Sequence, residues 1–138
     1  MDATSGMTKD DIYRFLAREF PQALDEAFEI MHIDQKGLTL TLNTDKKHLR
    51  PGGTVSGPTL MMMADTAAYL LLLARLGPVA QAVTSHIDMH FLRKPAPGVI
   101  HAQCTDLKLG SRSAVLAVEC ITDSTCVAVA TVTYALPG

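Results

Sequence analysis

The chain has 138 residues, 48% hydrophobic and 19% charged, which is enough apolar mass for one globular domain and too much for a disordered chain. A formal net charge of −2 without a dense basic run offers no footprint for a nucleic-acid partner. Three cysteines (Cys104, Cys120 and Cys126) form no CxxC pair, and their odd number argues against a disulfide framework and for a reducing, cytoplasmic setting.

The opening MDATSGMTKDD is acidic and has no basic run followed by an apolar one, so no secretory signal is expected. Thr8 followed by Asp11 resembles a capping box, and Ile12, Phe15, Leu16 and Phe20 form one apolar stripe. Residues 1–22 are therefore expected to be an N-terminal helical extension, ended by Pro21. Residues 27–33 and 38–43 are expected strands hinged at Lys36-Gly37, the second alternating as Leu38, Thr39, Leu40, Thr41, Leu42. Residues 44–56, TDKKHLRPGGTVS, carry loop chemistry. Ser56 is a candidate N-cap with Pro58 in the first turn, opening a helix that runs to about Arg75 and stops at Gly77-Pro78.

This helix is apolar on nearly every side, so something must wrap it almost completely. From Gly57 to Ala74 it reaches the shortest length that spans a bilayer. Asp65 sits at its middle, where insertion costs about 3 kcal/mol, and Pro58, Thr59, Thr66 and Tyr69 weaken a span further. A helix buried in a soluble core, with no membrane partner, is the expectation.

Four strands follow, over residues 82–93, 99–108, 112–122 and 126–135, with turns at Leu109-Gly110-Ser111 and Asp123-Ser124-Thr125. In the first, Val83, Ser85, Ile87, Met89 and Phe91 fall on one face and Thr84, His86, Asp88 and His90 on the other. Consecutive strands with tight turns specify a mostly antiparallel sheet, and hiding the apolar helix requires that sheet to curl around it. The fold class is α+β, one domain over residues 1–138.

Ser56-Gly57-Pro58, Met63-Ala64-Asp65-Thr66-Ala67, Phe91-Leu92-Arg93-Lys94-Pro95-Ala96 and Gly110-Ser111-Arg112 resemble the motifs of hotdog-fold acyl-CoA thioesterases of the phenylacetate-degradation (PaaI-like) type. That family opens its central helix with His-Gly-Gly, continues to Leu-Ala-Asp-Thr-Ala, and later carries Phe-Leu-Arg-Pro-Ala and a Gly-Arg-like turn. The likeness spans roughly residues 35–135, with one residue inserted before Pro95. Ser56 replaces the family His, Pro58 its second Gly, and Arg50 the polar residue, commonly Asn, six positions earlier. The resemblance implies a curved antiparallel sheet around a long central helix. It also implies hydrolysis of an acyl-CoA to a carboxylic acid and free coenzyme A, with coenzyme A as part of the substrate and no other cofactor or metal. Homodimers or homotetramers with sites shared at the subunit interface are implied as well.

Thioester hydrolysis needs a base or nucleophile and a donor for the developing oxyanion. Asp65 fits the first role, deprotonating water or attacking the carbonyl itself. The Gly57 N–H, unpaired at a helix start, fits the second. The two are separated by roughly 12 Å along one helix at about 1.5 Å per residue, too far to serve one carbonyl. Gly57 of one subunit is therefore expected to work with Asp65 of its neighbour, and Asp65 to face a polar cleft between subunits. The alternative is that Asp65 only hydrogen-bonds nearby hydroxyls, Thr66 or Tyr69.

Counting back from Phe91 puts Thr84 at the family's polar position on the third strand, and counting back from Pro95 puts Ser85 there. A hydroxyl there can orient water or hold the carboxylate. Arg50, Ser56 and Pro58 are candidates for substrate contact at the helix entrance; Arg93, Lys94 and Arg112 are candidates for the coenzyme A phosphates, which suit Arg bidentately. His86, Asp88 and His90 invite a metal, but their spacing of about 6.5–7 Å is too wide for easy convergence. Met61, Met62 and Met63 are core or a pliable acyl-chain wall. Two other readings stand beside hydrolysis. One is a hotdog dehydratase or hydratase of 3-hydroxyacyl or enoyl thioesters, for which His48 is the only nearby loop histidine; the other is a non-catalytic acyl-CoA-binding protein.

Overall fold

The computed structural model describes residues 6–26 and 28–137; residues 1–5 of the expected extension and Ala27, at the head of the expected strand 27–33, lie outside them. Helix α1 (Lys9–Glu19) opens on the expected reciprocal cap. Thr8 Oγ1 accepts from the Asp11 N–H at 3.1 Å, and the Asp11 carboxylate accepts from the Thr8 N–H at 3.0 Å. Its stripe of Ile12, Phe15 and Leu16 is buried. Pro21 does end the helix, but it also starts a 3-10 turn, Pro21–Leu24, because its fixed φ suits a helical first position.

Six strands follow: β1 (Glu29–Ile33), β2 (Leu38–Asn43), β3 (Val83–Phe91), β4 (Val99–Leu109), β5 (Ser113–Thr122) and β6 (Thr125–Ala135). They form one sheet in the order β1-β2-β4-β5-β6-β3, antiparallel at every pairing. The β5–β6 turn contracts to two residues, Asp123 and Ser124, both at positive φ, as a tight hairpin requires. Between β2 and the next helix the loop holds a 3-10 turn, Lys46–His48, that loop composition conceals.

Helix α2 (Gly57–Leu76) packs across β2, β4, β5, β6 and β3. Leu60, Met63, Ala64, Ala67, Leu71 and Leu72 are fully buried against the inward residues of the sheet, such as Leu40, Ile100, Leu116 and Val132. Each such leucine contributes roughly 1.5–3 kcal/mol of burial. A curved antiparallel sheet around one long helix is the hotdog fold. The helix is wrapped almost completely, as its apolar composition predicts, except along one stripe. Met61 is exposed, and Met62, Asp65, Thr66 and Tyr69 are half-buried, forming a stripe that the sheet leaves uncovered.

A correction concerns β3. Thr84 pairs with Tyr134 and His86 with Thr133, so Ser85 is the extra residue of a β-bulge. The bulge resets the alternation. Thr84 reaches the helix, and beyond the bulge Ile87 and Met89 pack against the core and Phe91 against Gly57. Ser85 does not share their face as strict alternation predicts; its hydroxyl donates to the Thr133 carbonyl at 3.3 Å.

The β1–β2 turn closes on a glycine for steric reasons. Gly37 sits at φ +157°, and a Cβ there would lie 1.9 Å from the Cys104 carbonyl oxygen on β4. Backbone, not a flexible side chain, would have to move. Gly37→Ala is expected to lower the unfolding free energy by about 2–4 kcal/mol, measured by urea denaturation. An unchanged midpoint would show that the turn does not press on β4.

Candidate active site

Asp65 is the only carboxylate on α2, and the fold supplies it with two hydroxyl donors from the sheet. Thr84 Oγ1 and Tyr134 Oη each donate to Asp65 Oδ1 at 2.7 Å. Tyr134 Oη also approaches the Asp65 carbonyl oxygen at 3.1 Å. Thr84 and Tyr134 are direct cross-strand partners on β3 and β6, so a single strand pair presents both groups to the helix. Among the described residues, no bond is made to Asp65 Oδ2. Burial above all, with the Asp65 charge adding to it, pushes the Tyr134 phenol well above its ordinary value, so it stays a donor.

Asp65, Thr84 and Tyr134 line a cleft of about 700 Å³. Thr66 and Tyr69, the expected structural partners of Asp65, line the same cleft but do not hold the carboxylate; the Tyr69 hydroxyl instead donates to the Val79 carbonyl at 3.5 Å. Tyr134 was not a candidate from sequence. One signal could have found it: in β6 its alternation puts it on the inner face with Ala128, Ala130 and Val132, and a buried tyrosine hydroxyl needs an acceptor.

The helix entrance is a second assembly. Ser56 caps α2, its Oγ accepting from the Thr59 N–H at 3.2 Å and pairing with Thr59 Oγ1 at 2.8 Å. Pro58 has no N–H. Of the first three helical residues, only Gly57 therefore keeps an uncommitted N–H. The loop before it is anchored by His48, which is 4% exposed. The His48 carbonyl accepts from the Ser56 N–H at 2.9 Å and from Thr59 Oγ1 at 3.3 Å. Its ring Nδ1 accepts from the Asp45 N–H at 2.9 Å, which leaves Nε2 to donate to Glu26 Oε1 at 3.0 Å. That bond, helped by Lys47, holds the Glu26 carboxyl below its ordinary value. His48 is thus committed to structure, and among the described residues no histidine lines the Asp65 cleft.

The structure sorts the candidates between the two ends of β3. Gly57 lies by Phe91, and the Val55 N–H donates to the Pro95 carbonyl at 2.9 Å, which sets Arg93 and Lys94 beside the entrance with Arg50, Ser56 and Pro58. Arg112 precedes Ser113, which pairs with Ala135 opposite Val83, so it belongs to the Asp65 end. The expected grouping of Arg93, Lys94 and Arg112 is therefore not found within one protomer. His86, Asp88 and His90 are exposed on the far face of β3, with His90 Nε2 3.9 Å from Asp88 Oδ1.

The thioesterase superfamily model matches residues 52–130, more than half of the chain. A candidate thioesterase from a Silicibacter species is 37% identical, with a TM-score of 0.85 over 97% of this chain and 94% of its own. The phenylacetic acid degradation protein PaaI from Thermus thermophilus, solved as a mutant, is 25% identical, with a TM-score of 0.75 over 85% of this chain and 99% of its own. A phenylacetic acid degradation-related protein from Ralstonia eutropha is also 25% identical, with a TM-score of 0.80 over 91% of this chain and 98% of its own. No curated protein matches the sequence.

The raised Tyr134 phenol has a consequence for stability. The folded state holds this proton more tightly than the unfolded chain, whose phenol has the ordinary value of 10.0. Its contribution is complete below that value and is lost as pH climbs towards the folded one. Urea unfolding of wild type and Tyr134→Phe between neutral pH and about pH 11 is expected to show a stability gap that narrows at the alkaline end. A constant gap would mean that the phenol is not the buried donor described.

Proposed function

The chain belongs to the thioesterase superfamily of thioester hydrolases, and from that membership we propose that it hydrolyses acyl-CoA thioesters at sites that each draw on two protomers. The observation that carries this reading is the Asp65 carboxylate, with one oxygen fixed by Thr84 and Tyr134 and the other free, on the wall of an open cleft. The two hydroxyls stop the carboxylate rotating and direct Oδ2 to the reacting carbonyl or its attacking water. As a base, Oδ2 takes a proton from water while the water oxygen bonds to the carbonyl carbon; the carbon–sulfur bond then breaks and the thiolate leaves as coenzyme A, with the proton returned to it. As a nucleophile, the same oxygen attacks the carbon directly, the carbon–sulfur bond breaks to expel the coenzyme A thiolate, and water then hydrolyses the acyl-aspartyl anhydride, releasing the carboxylic acid, restoring Asp65 and supplying the thiolate's proton. Both routes place negative charge on the carbonyl oxygen, and the Gly57 N–H at the positive end of α2 is suited to receive it.

Support for a shared site comes from β3, which forms the edge of the sheet and exposes Val83 and Phe91, 59% and 50% accessible. In one protomer Asp65 is tied to Thr84 and Gly57 lies by Phe91, and these two strand positions are roughly 23 Å apart along β3 at about 3.3 Å per residue. Antiparallel pairing of two such edges about a two-fold axis near Ile87 exchanges the ends. Asp65 then lies near Gly57 of the partner subunit, and Arg112 near the partner subunit's Arg50, Arg93 and Lys94, a cationic cluster suited to coenzyme A phosphates. His48, the loop histidine on which the dehydratase reading depends, is committed to the Asp45 N–H and Glu26, which favours hydrolysis over that reading.

Asp65→Asn is expected to lower thiol release from acyl-CoAs by roughly 10²–10⁴-fold. Wild-type protein that binds acyl-CoA saturably without releasing thiol would overturn the reading. A Cβ at Gly57 meets the Phe91 ring at 3.6 Å, an ordinary contact, so Gly57→Ala should fold while obstructing the carbonyl. Co-refolding equal amounts of Asp65→Asn and Gly57→Ala chains is expected to recover about a quarter of wild-type activity, because half of the dimers are mixed and each mixed dimer has one intact site. Recovery no greater than the average of the two variants would place both residues in one subunit's site.

A further inference from the structure

One wall of the cleft beside Asp65 comes from a segment that takes no part in the motif chemistry. Tyr134, which holds the carboxylate, stacks on Tyr69 at 5.9 Å between ring centroids, and Tyr69 meets Phe20 edge-on at 6.4 Å. This aromatic path leads from the reactive carboxylate to the end of α1, where Phe20 and Ala23 complete the lining. Met62, Leu70 and Val83 supply apolar wall between them. The volume, about 700 Å³, falls within the range of pockets that enclose small organic ligands. Phe20 and Ala23 both lie outside the residues matched by the superfamily, 52–130.

The lining also has a definite charge. Asp65 and Glu19 both contribute to it, and no lysine or arginine does among the described residues. Arg18 Nε reaches Glu19 at 3.2 Å from the exposed side, offsetting part of that charge without entering the cleft. A ligand carrying a second carboxylate would meet at least one like charge there, and this protomer's described lining offers it no cationic partner.

We propose that this cleft is the acyl pocket, that Phe20 and Ala23 set the length or bulk of the acyl group, and that the pocket takes uncharged acyl groups and rejects dicarboxylic ones. The inference rests on the acyl-CoA reading above and adds the substrate class. Phe20 is 42% exposed, so trimming it removes little core packing while opening the far wall. Filling the position of Ala23 has the opposite effect on the space.

The test measures kcat/KM for straight-chain acyl-CoAs from short to long, and for a dicarboxylic acyl-CoA matched in length to a good substrate. Phe20→Ala is expected to raise the preference for long over short chains by at least about tenfold, and Ala23→Phe to shift it the other way by a similar factor. Opposite shifts cannot both arise from impaired folding. The matched dicarboxylic substrate is expected to be at least about tenfold poorer in the wild type. Unchanged chain-length profiles in both variants, with turnover intact, would overturn the pocket assignment and leave the hydrolase reading standing. If no acyl-CoA is turned over, the hydrolase reading fails, and binding of hydrolysis-resistant thioether analogues decides the pocket. Affinities whose chain-length dependence moves in opposite directions in the two variants support it, and affinities that do not move overturn it.

Discussion

One carboxylate oxygen accepting from two hydroxyls at 2.7 Å ties the central helix to the edge of the sheet. The donors, Thr84 and Tyr134, are opposite each other across β3 and β6, so the bond pattern exists only when that strand pair and α2 are in register. An acid in a largely apolar helix costs stability unless its charge is met by donors or water. Here one oxygen receives donors and the other is left towards the cleft, so the position is structurally supported and chemically available at once. The structural account of Asp65 is thus compatible with the proposed chemistry: the hydroxyls that make the residue tolerable also fix one of its two oxygens.

The helix entrance follows a different logic, in which potential donors are removed until one is left. Ser56 Oγ takes the Thr59 N–H, and Pro58 contributes none. The substitutions relative to the resembled His-Gly-Gly thus remove a second backbone N–H at Pro58 and install a cap at Ser56, yet they keep the Gly57 donor. Its position depends on the loop before it, fixed by the His48 carbonyl, and the His48 ring is in turn held by Glu26 beyond the 3-10 turn. The entrance and the N-terminal segment are mechanically linked through this buried histidine.

How much of this was legible in the sequence depends on the range over which each signal acts. The Thr8 capping box, the clean alternation of β2 and the helix boundaries at Ser56 and Gly77 are local and were recovered nearly residue for residue. The bulge at Ser85 was not, because one inserted residue reverses a period-two count, and only the pairing with β6 shows where the reversal falls. The two counts that landed on Thr84 and Ser85 were separated by this same ambiguity, and the contact with Asp65 selects Thr84. Tyr134 and Glu26 are not legible for a related reason: their partners are remote in sequence, and a tyrosine in a strand or a glutamate in a polar turn carries no local mark of the acceptor or donor it meets.

The inference of a shared site, by contrast, needed only the stiffness of a helix. Eight residues of continuous helix hold Gly57 and Asp65 apart, and no side-chain rearrangement brings a backbone N–H at the first turn to a carboxylate two turns on. The sheet reinforces the separation, since Phe91 and Thr84 mark the corresponding ends of a single extended strand. A rigid rod and a rigid strand cannot fold back on themselves, but a two-fold axis across the strand edge superposes one rod's beginning on the other's middle. The fold therefore leaves two-fold pairing as the direct way to let both groups act on one carbonyl. On the proposed reading the N-terminal segment walls the acyl side of the cleft through Phe20 and Ala23, which lie outside the stretch that carries both proposed reactive groups.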